Sequence, residues 1–195
     1  MNISIHQIKR IYQGFINLLS FTCKFERSGH THTQEIIAVD RQEVVAILPY
    51  DPSRDEVVLI DEHRPILALK NHPTLVTGIP AGLCEPHEDK VHSARRELKE
   101  ETHLEAIELH HIKSYWATPG ISTERIHLYI AIVDLSQFKP CNTGQAAEGE
   151  HIYCYKMTRA DLEQASLSKL DNALTLMATW WLKTNYTQFK ARPHL

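Results

Sequence analysis

The chain lacks the features that mark several large classes of protein. No apolar run approaches the roughly 20 residues that a membrane-spanning helix needs. Lys9 and Arg10 interrupt the first apolar stretch, so the N-terminus does not have the layout of a signal peptide. We find no internal repeat and no low-complexity segment in the 195 residues. The sequence therefore predicts a cytoplasmic protein with no membrane partner, built as one domain or as a domain with a small appendage.

A strong charge of either sign is also missing. The chain has 21 basic and 24 acidic residues, which gives a formal net charge of -3. Such a balance produces no electrostatic field that would gather nucleic acid or an anionic membrane. We therefore expect no nucleic-acid partner, and the acidic residues matter only where they are locally concentrated.

Cysteine pairs with metal-binding spacing are absent. The four cysteines are scattered without a C-x-x-C pair, so neither a zinc knuckle nor a disulfide framework is indicated, and free thiols in a reducing compartment are expected. The 13 histidines do not change this interpretation. His87-Glu88 is followed by a histidine at position 92 rather than 91, which misses the H-E-x-x-H spacing of zinc enzymes.

The most informative stretch runs from residue 82 to residue 104. A glycine turn leads into a predicted helix that begins near Glu88, with an acid in its first turn. At about 100° per residue, two groups of side chains separate around the helix axis. Three glutamates fall within an arc of roughly 100°, and three apolar residues share a stripe of roughly 60°: Glu97, Glu100 and Glu101, and Val91, Ala94 and Leu98.

The three glutamates carry a small cost unless a cation lies between them. Like charges at i and i+4, as in Glu97 and Glu101, destabilise a lone helix by roughly 0.2–0.5 kcal/mol per pair. A hard divalent ion is the natural partner, because magnesium takes one or two protein carboxylates together with water and substrate phosphates. The alternative is an ordinary acidic helix face exposed to solvent.

The same stretch resembles the Nudix box, whose pattern is Gly, five residues, Glu, seven residues, then Arg-Glu-apolar-x-Glu-Glu-x-Gly-apolar. The positions that fit are Gly82, Glu88, Arg96, Glu97, Leu98, Glu100, Glu101 and Leu104. One position departs, because His103 stands where the family has glycine. That glycine would cap the helix in the left-handed conformation, which a histidine adopts with some strain.

Elements on either side of the box complete an α+β pattern. Residues 1–42 read as a small N-terminal β segment, and residues 43–195 as the main domain. The main domain shows buried strands at 44–48 and 57–60, further strands at 75–80, 106–117, 125–133 and 152–156, and a long polar loop at 135–150. A short helix is predicted from Thr158, and an amphipathic one after Asn172, with Leu174, Met177, Ala178, Trp181 and Leu182 packed. This order fits the Nudix fold, an α/β/α sandwich around a mixed sheet.

The resemblance covers most of the chain and is greatest to bacterial ADP-ribose pyrophosphatases. It rests on Leu48-Pro49-Tyr50-Asp51-Pro52, the Pro80-Ala81-Gly82 lead-in, the Ala147-Glu148-Gly149-Glu150 loop and Lys169-Leu170-Asp171-Asn172-Ala173. Pro119, 15 residues past the end of the box at Leu104 (119 minus 104), is the feature that separates this group from other Nudix hydrolases. The resemblance implies hydrolysis of ADP-ribose to AMP and ribose 5-phosphate, with Mg²⁺ as cofactor and Mn²⁺ as a substitute.

The resemblance also implies a role for individual residues. Metal would be held by the Ala81 carbonyl, Glu97, Glu101 and Glu150. Glu100 is the further acid of the box, and Arg96 would hold the glutamates in place. Glu148 matches the loop glutamate that acts as general base on the attacking water. Substrate contacts would fall on Arg41, Arg64, Leu83, Thr118, Pro119, Gly120 and Glu124.

Several alternatives stay open at this stage. Gly78 replaces an acid that relatives commonly have, and Glu35-Ile36-Ile37 replaces an arginine-bearing segment that contacts the nucleotide in the resembled group. GDP-mannose or ADP-glucose is therefore a second substrate hypothesis. A Nudix-like module that binds a nucleotide without cleaving it is a third. The resemblance further implies a homodimer, in which the N-terminal segment packs against the partner and helps to enclose the substrate.

Overall fold

The computed structural model describes residues 2–14, 16–144 and 151–190 and divides the chain into two compact units. The first unit contains Met1–Glu43 and Tyr115–Ile126, and the second contains Val44–Ser114 and His127–Leu195. No helix within the described residues has both the length and the apolar character needed to cross a bilayer.

A three-stranded antiparallel sheet forms the N-terminal part of the first unit. Its strands are β1 (Asn2–Gln13), β2 (Asn17–Arg27) and β3 (His30–Asp40), in the order β1-β2-β3. Ser28 and Gly29 connect β2 to β3 with φ values of 50° and 78°. Two successive left-handed residues are typical of tight hairpin turns, because their twist matches that of the strands. The extended structure predicted for the N-terminal segment is therefore confirmed.

The rest of the sheet structure is built from eight strands. They are β4 (Val44–Asp51), β5 (Glu56–His63), β6 (Leu75–Gly78), β7 (Ala81–Leu83), β8 (Glu108–Trp116), β9 (Arg125–Ile132), β10 (Cys141–Thr143) and β11 (Ile152–Thr158). The main path runs β10-β11-β5-β4-β9-β8, while β6 pairs with β5 and β7 pairs with β4. The turn between β4 and β5 is organised by Asp51, which accepts hydrogen bonds from the backbone N–H groups of Ser53 and Leu135.

Helices cover both faces of the sheet in the second unit. They are α1 (Lys90–Thr102), α2 (Arg159–Ser166), α3 (Ala173–Asn185) and α4 (Thr187–Lys190), with a 3-10 helix at Pro65–Lys70. Ala94 and Leu98 of α1 are buried in one cluster with alternate residues of the strands: Val45, Ile47, Val58, Ile60, Ile152 and Cys154. Because strand side chains alternate between faces, the intervening residues point to the side on which α2 and α3 contact the sheet. The predicted α/β/α arrangement is confirmed.

Three details of the sequence prediction are wrong. Helix α1 begins at Lys90 rather than near Glu88, its N-cap is Asp89, and its first turn contains no acid. Val91 is 45% exposed and does not share the buried stripe of Ala94 and Leu98. The sequence predicts a loop at 135–150, whereas the structure has strand β10 within that segment. In α3 the predicted packed side is confirmed, since Ala178 and Leu182 are fully buried and Leu174, Met177 and Trp181 are partly buried. Thr175 and Thr179 are buried in addition.

His103 caps the C-terminus of α1 in the left-handed conformation expected for the glycine it replaces. Its φ and ψ are 59° and 13°, and its backbone N–H donates to the Lys99 carbonyl at 2.9 Å. A Cβ in this region is strained. We expect His103→Gly to raise the free energy of unfolding by about 0.5–1 kcal/mol, less than the full strain because glycine is more flexible when unfolded. Urea unfolding measures this, and His103→Ala, which keeps the Cβ, is the control without a gain.

Candidate active site

Arg96 is the centre of the polar cluster on α1. Its guanidinium donates from Nε and Nη2 to the Glu88 carboxylate at 3.2 and 3.0 Å. Nη1 donates to Glu97 at 2.7 Å and to Glu100 at 3.2 Å. Nη2 also donates to the Leu83 carbonyl at 3.1 Å. These hydrogen bonds hold the pKa of Arg96 above its ordinary value, and the bonds to Glu88 have the largest effect. One cation therefore orients three of the four box glutamates and ties the helix to the end of β7.

Glu88 lies before the helix and binds back onto it. Besides Arg96, its carboxylate accepts from the Ser93 hydroxyl at 2.7 Å and from the Glu85 backbone N–H at 3.2 Å. His92 Nδ1 lies 2.9 Å from the same carboxylate. These hydrogen bonds hold the pKa of the Glu88 carboxyl well below its usual range. Those from Arg96 have the largest effect, followed by the one from Ser93. This residue acts as a structural partner of Arg96.

The lowered pKa of Glu88 gives a prediction with a definite sign. Because its folded pKa lies below the unfolded value of about 4.3, the charged carboxylate stabilises the fold above that pH. The contribution is lost as the pH falls toward the folded pKa. We therefore expect wild type to be more stable than Glu88→Gln at pH 7, with a difference that shrinks steadily below about pH 4. Urea unfolding of both proteins at neutral and acidic pH measures the difference, and an unchanged gap across that range would contradict the assignment.

Glu97 lies directly over Gly82. The Glu97 residue is 8% exposed, and a Cβ added to Gly82 would lie 2.1–2.2 Å from its carboxylate carbon and oxygens. Only a residue without a side chain leaves room for this approach. The first position of the box therefore has a steric reason, since it allows an α1 carboxylate to reach the β7 backbone.

Glu101 approaches the same backbone segment from one turn further along α1. This residue is 4% exposed, and its Oε2 accepts from the Ala81 backbone N–H at 3.2 Å. Its own carbonyl accepts from the Thr143 hydroxyl at 2.6 Å, which links β10 to the last turn of α1. Glu97 and Glu101 thus converge on two adjacent residues, Ala81 and Gly82.

The chemistry of these donors suits a divalent cation. Two buried carboxylates beside the backbone of β7 are hard oxygen ligands of the kind that Mg²⁺ and similar ions take. Within residues 2–14, 16–144 and 151–190, no group of three or more His, Cys, Asp or Glu side chains is gathered as a metal site. Of the predicted ligands, the Ala81 carbonyl, Glu97 and Glu101 lie within those residues, and Glu150 lies outside them. Glu148, the predicted base, also lies outside the described residues.

The first unit contains five of the predicted substrate residues. Arg41 Nε donates to Glu124 at 3.3 Å, and the Arg41 backbone N–H donates to the Thr123 hydroxyl at 2.9 Å. Thr118, Pro119 and Gly120 form an exposed turn in which the Thr118 carbonyl accepts from the backbone N–H groups of residues 121 and 122. The fold therefore brings Arg41 and Glu124 together although 83 positions separate them in the sequence.

The two remaining substrate candidates lie in the second unit. Arg64 is mostly exposed and forms an ion pair with Glu62 at 2.6 Å. The Leu83 carbonyl accepts a hydrogen bond from Arg96. Contact of either residue with a substrate stays a prediction.

Sequence reasoning missed the support that surrounds the box. Asn172, the N-cap of α3, lies beside Gly78: its amide nitrogen would be 3.1 Å from a Cβ at that position, and it lies 3.4 Å from the Thr77 carbonyl. Gly78 therefore makes room for a helix cap that contacts the segment leading to Ala81. The signal available was the pairing of an unexpected glycine with a strong N-cap residue.

Comparison with known proteins identifies the family. A family model described as NUDIX domain matches residues 40–174, which is more than half of the chain. The chain therefore belongs to the Nudix family. Nudix hydrolases in general use divalent metal cations, which agrees with the oxygen-rich site at Ala81 and Gly82.

Individual relatives extend over nearly the whole chain. An ADP-ribose pyrophosphatase from Haemophilus influenzae is 30% identical over 190 residues, covering 92% of this chain and 85% of the relative. A GDP-mannose pyrophosphatase from Cronobacter sakazakii is 26% identical over 182 residues, covering 91% and 93%. A crystal structure of an ADP compounds hydrolase superimposes with a TM-score of 0.74 at 20% identity, covering 98% of each chain, and shows that the fold is shared.

Proposed function

We propose that this chain hydrolyses the pyrophosphate bond of ADP-ribose, releasing AMP and ribose 5-phosphate, with Mg²⁺ as the cofactor. The observation that carries the proposal is the convergence of Glu97 and Glu101 on Ala81 and Gly82. The 30% identity to an ADP-ribose pyrophosphatase over 92% of the chain supports the choice of substrate.

Each residue at the site has its own role in the proposed reaction. Glu97, Glu101 and the Ala81 carbonyl would hold the cation, with Glu150 as a further ligand. When bound, a divalent cation screens the diphosphate charges and lowers the pKa of a water that attacks phosphorus. Arg96 keeps Glu97 and Glu100 in position through charge-assisted hydrogen bonds. Glu148 would take the proton of the attacking water. Arg41 and Arg64 would contact the anionic substrate.

A substrate panel tests the proposal. Purified protein is incubated with ADP-ribose, ADP-glucose and GDP-mannose in Mg²⁺, Mn²⁺ or EDTA, and kcat/KM is compared. We expect AMP and ribose 5-phosphate from ADP-ribose, Mn²⁺ as a substitute, and no turnover in EDTA. Absence of hydrolysis with every nucleotide sugar would refute the assignment and favour a binding module.

GDP-mannose is the second candidate substrate. The similarity to a GDP-mannose pyrophosphatase over 91% of the chain favours it. Glu35-Ile36-Ile37, in place of the arginine-bearing segment of the resembled group, favours it as well. A kcat/KM for GDP-mannose above that for ADP-ribose would replace the first candidate by the second.

We also propose a homodimer that uses β1. This strand exposes more than half of each of five large apolar side chains, a concentration typical of an interaction surface: Ile3, Ile5, Ile8, Ile11 and Tyr12. Light scattering at micromolar concentration is expected to give twice the mass of one chain. The Ile5→Glu, Ile8→Glu double variant should shift the mass toward the monomer, while Ser4→Glu on the same strand should not. A monomeric wild type would contradict the proposal.

The cytoplasmic location stays a prediction.

A further inference from the structure

Two thiols face each other across β10 and β11. Cys141 and Cys154 are directly opposite in the antiparallel register, and the Cys141 thiol is close enough to raise the pKa of the Cys154 thiol. Opposite residues of an antiparallel pair have Cα atoms about 4.5–5.5 Å apart. A disulfide needs a separation of about 4.4–6.8 Å. The strand pairing therefore already places the two residues at a distance that a disulfide can bridge.

The two cysteines differ in their access to solvent. Cys154 is fully buried in the cluster that contains Leu98 of α1, whereas Cys141 is partly exposed on β10, the edge strand of the sheet. Burial, with a smaller effect of Cys141, raises the pKa of the Cys154 thiol to about 12. A small oxidant therefore reacts first with Cys141. Cys154, directly opposite, is the thiol placed to form a bond with the oxidised Cys141 sulfur.

We propose that Cys141 and Cys154 form an oxidisable dithiol that a peroxide-class oxidant converts to a cystine within the chain. The Cys141 sulfur attacks the peroxide and breaks its O–O bond, which leaves a sulfenic acid on Cys141 and releases one water. The Cys154 sulfur then attacks the Cys141 sulfur. The new S–S bond expels the oxygen as a second water, which takes the Cys154 proton. The two thiols lose two electrons in total, and one peroxide is reduced to two waters.

The bond would form next to the site of Glu101. Thr143, two residues after Cys141, donates its hydroxyl to the Glu101 carbonyl at 2.6 Å, and the Glu101 carboxylate is close enough to contribute to the raised pKa of Cys154. An S–S bond of about 2.05 Å is shorter than any contact between two unbonded thiols, so its formation draws β10 toward β11. Since Thr143 ties β10 to α1, the last turn of α1 shifts with it. Binding constellations tolerate displacements of only about 0.5 Å.

Mass spectrometry tests the dithiol directly. Reduced protein is treated with hydrogen peroxide, quenched with N-ethylmaleimide and digested without reductant. We expect a mass loss of about 2 Da, two labelled thiols in place of four, and one linked peptide pair containing Cys141 and Cys154. Dithiothreitol should restore all four thiols. Cys141→Ser and Cys154→Ser should each abolish the link, while Cys23→Ser should retain it. Links through Cys23 or Cys84, or between chains only, would overturn the proposal.

The effect on hydrolysis rests on the proposed function and needs a separate measurement. We expect oxidation to lower kcat for ADP-ribose by roughly threefold or more, because small displacements of ligating groups are costly. Dithiothreitol should reverse the loss, and Cys141→Ser should keep its rate under the same treatment. A cystine that forms without changing the rate would overturn the link to α1. A reduced protein that never hydrolyses nucleotide sugars would refute the proposed function and leave the mass result standing.

Discussion

Replacing Glu97 with glutamine is expected to lower kcat for ADP-ribose hydrolysis by roughly 100-fold or more, because a neutral amide is a poor ligand for a hard cation. The carboxylate is buried and placed over Gly82, so the substitution changes the group that meets the β7 backbone. Steady-state kinetics over a range of Mg²⁺ concentrations measures the change. We expect the loss to persist at saturating substrate and to be partly offset by high Mg²⁺.

Glu105→Gln is the matched control for this variant. Glu105 follows α1 and forms an exposed ion pair with Lys99, so the same chemical change is made on the surface. Its kcat should equal that of wild type. A Glu97→Gln protein with normal kcat would show that the buried glutamates serve the fold alone.

The second large effect is expected from Gly82→Ala. The added methyl group would lie 2.1–2.2 Å from the Glu97 carboxylate, so that carboxylate has to move. The Glu97 carboxylate lies at the end of a flexible side chain, so it is able to move. The backbone itself accepts alanine, because the φ of Gly82 lies outside the left-handed range. We therefore expect kcat to fall by roughly 100-fold, the cost of a misplacement of about 1 Å at a reacting centre. Circular dichroism and urea unfolding should show a folded protein.

Two comparisons isolate the cause of that loss. Gly78→Ala adds the same methyl group where the nearest contact is the Asn172 amide at 3.1 Å, and its kcat should stay much closer to wild type. In the double variant Gly82→Ala, Glu97→Gln, the losses should not add, because both changes act on the same carboxylate. Additive losses would place the effect of Gly82 elsewhere.

Periodicity predicted which side of α1 carries the acids but not where the helix meets the sheet. Ala94 and Leu98 are buried as expected, yet Val91, on the same side, is exposed. The angular position of a residue follows from 100° per residue, whereas the point at which the sheet ends along the axis depends on strands that are distant in sequence. Asp89 is the N-cap and accepts from the backbone N–H groups of Val91 and His92, so the helix starts later than predicted.

Contacts of the site that cross between elements could not be read from local patterns. Arg96 and Glu88 are eight residues apart, which is about 12 Å along a continuous helix. They meet only because Glu88 lies before the helix and its side chain turns toward it. The steric role of Gly82 and the Thr143 link to Glu101 likewise depend on how β7 and β10 pack on α1. The box pattern located the residues, and the packing supplies the reason for their spacing.

The saturation of Arg96 restricts which residues can meet an incoming anion. Its guanidinium has five N–H groups, and five hydrogen bonds to acceptors within the second unit engage it. To grasp a phosphate oxygen, Arg96 would have to release a carboxylate that it keeps aligned. Other positive groups must therefore neutralise the substrate. A lysine in place of Arg96 has only three donors and could not bind all these acceptors at once.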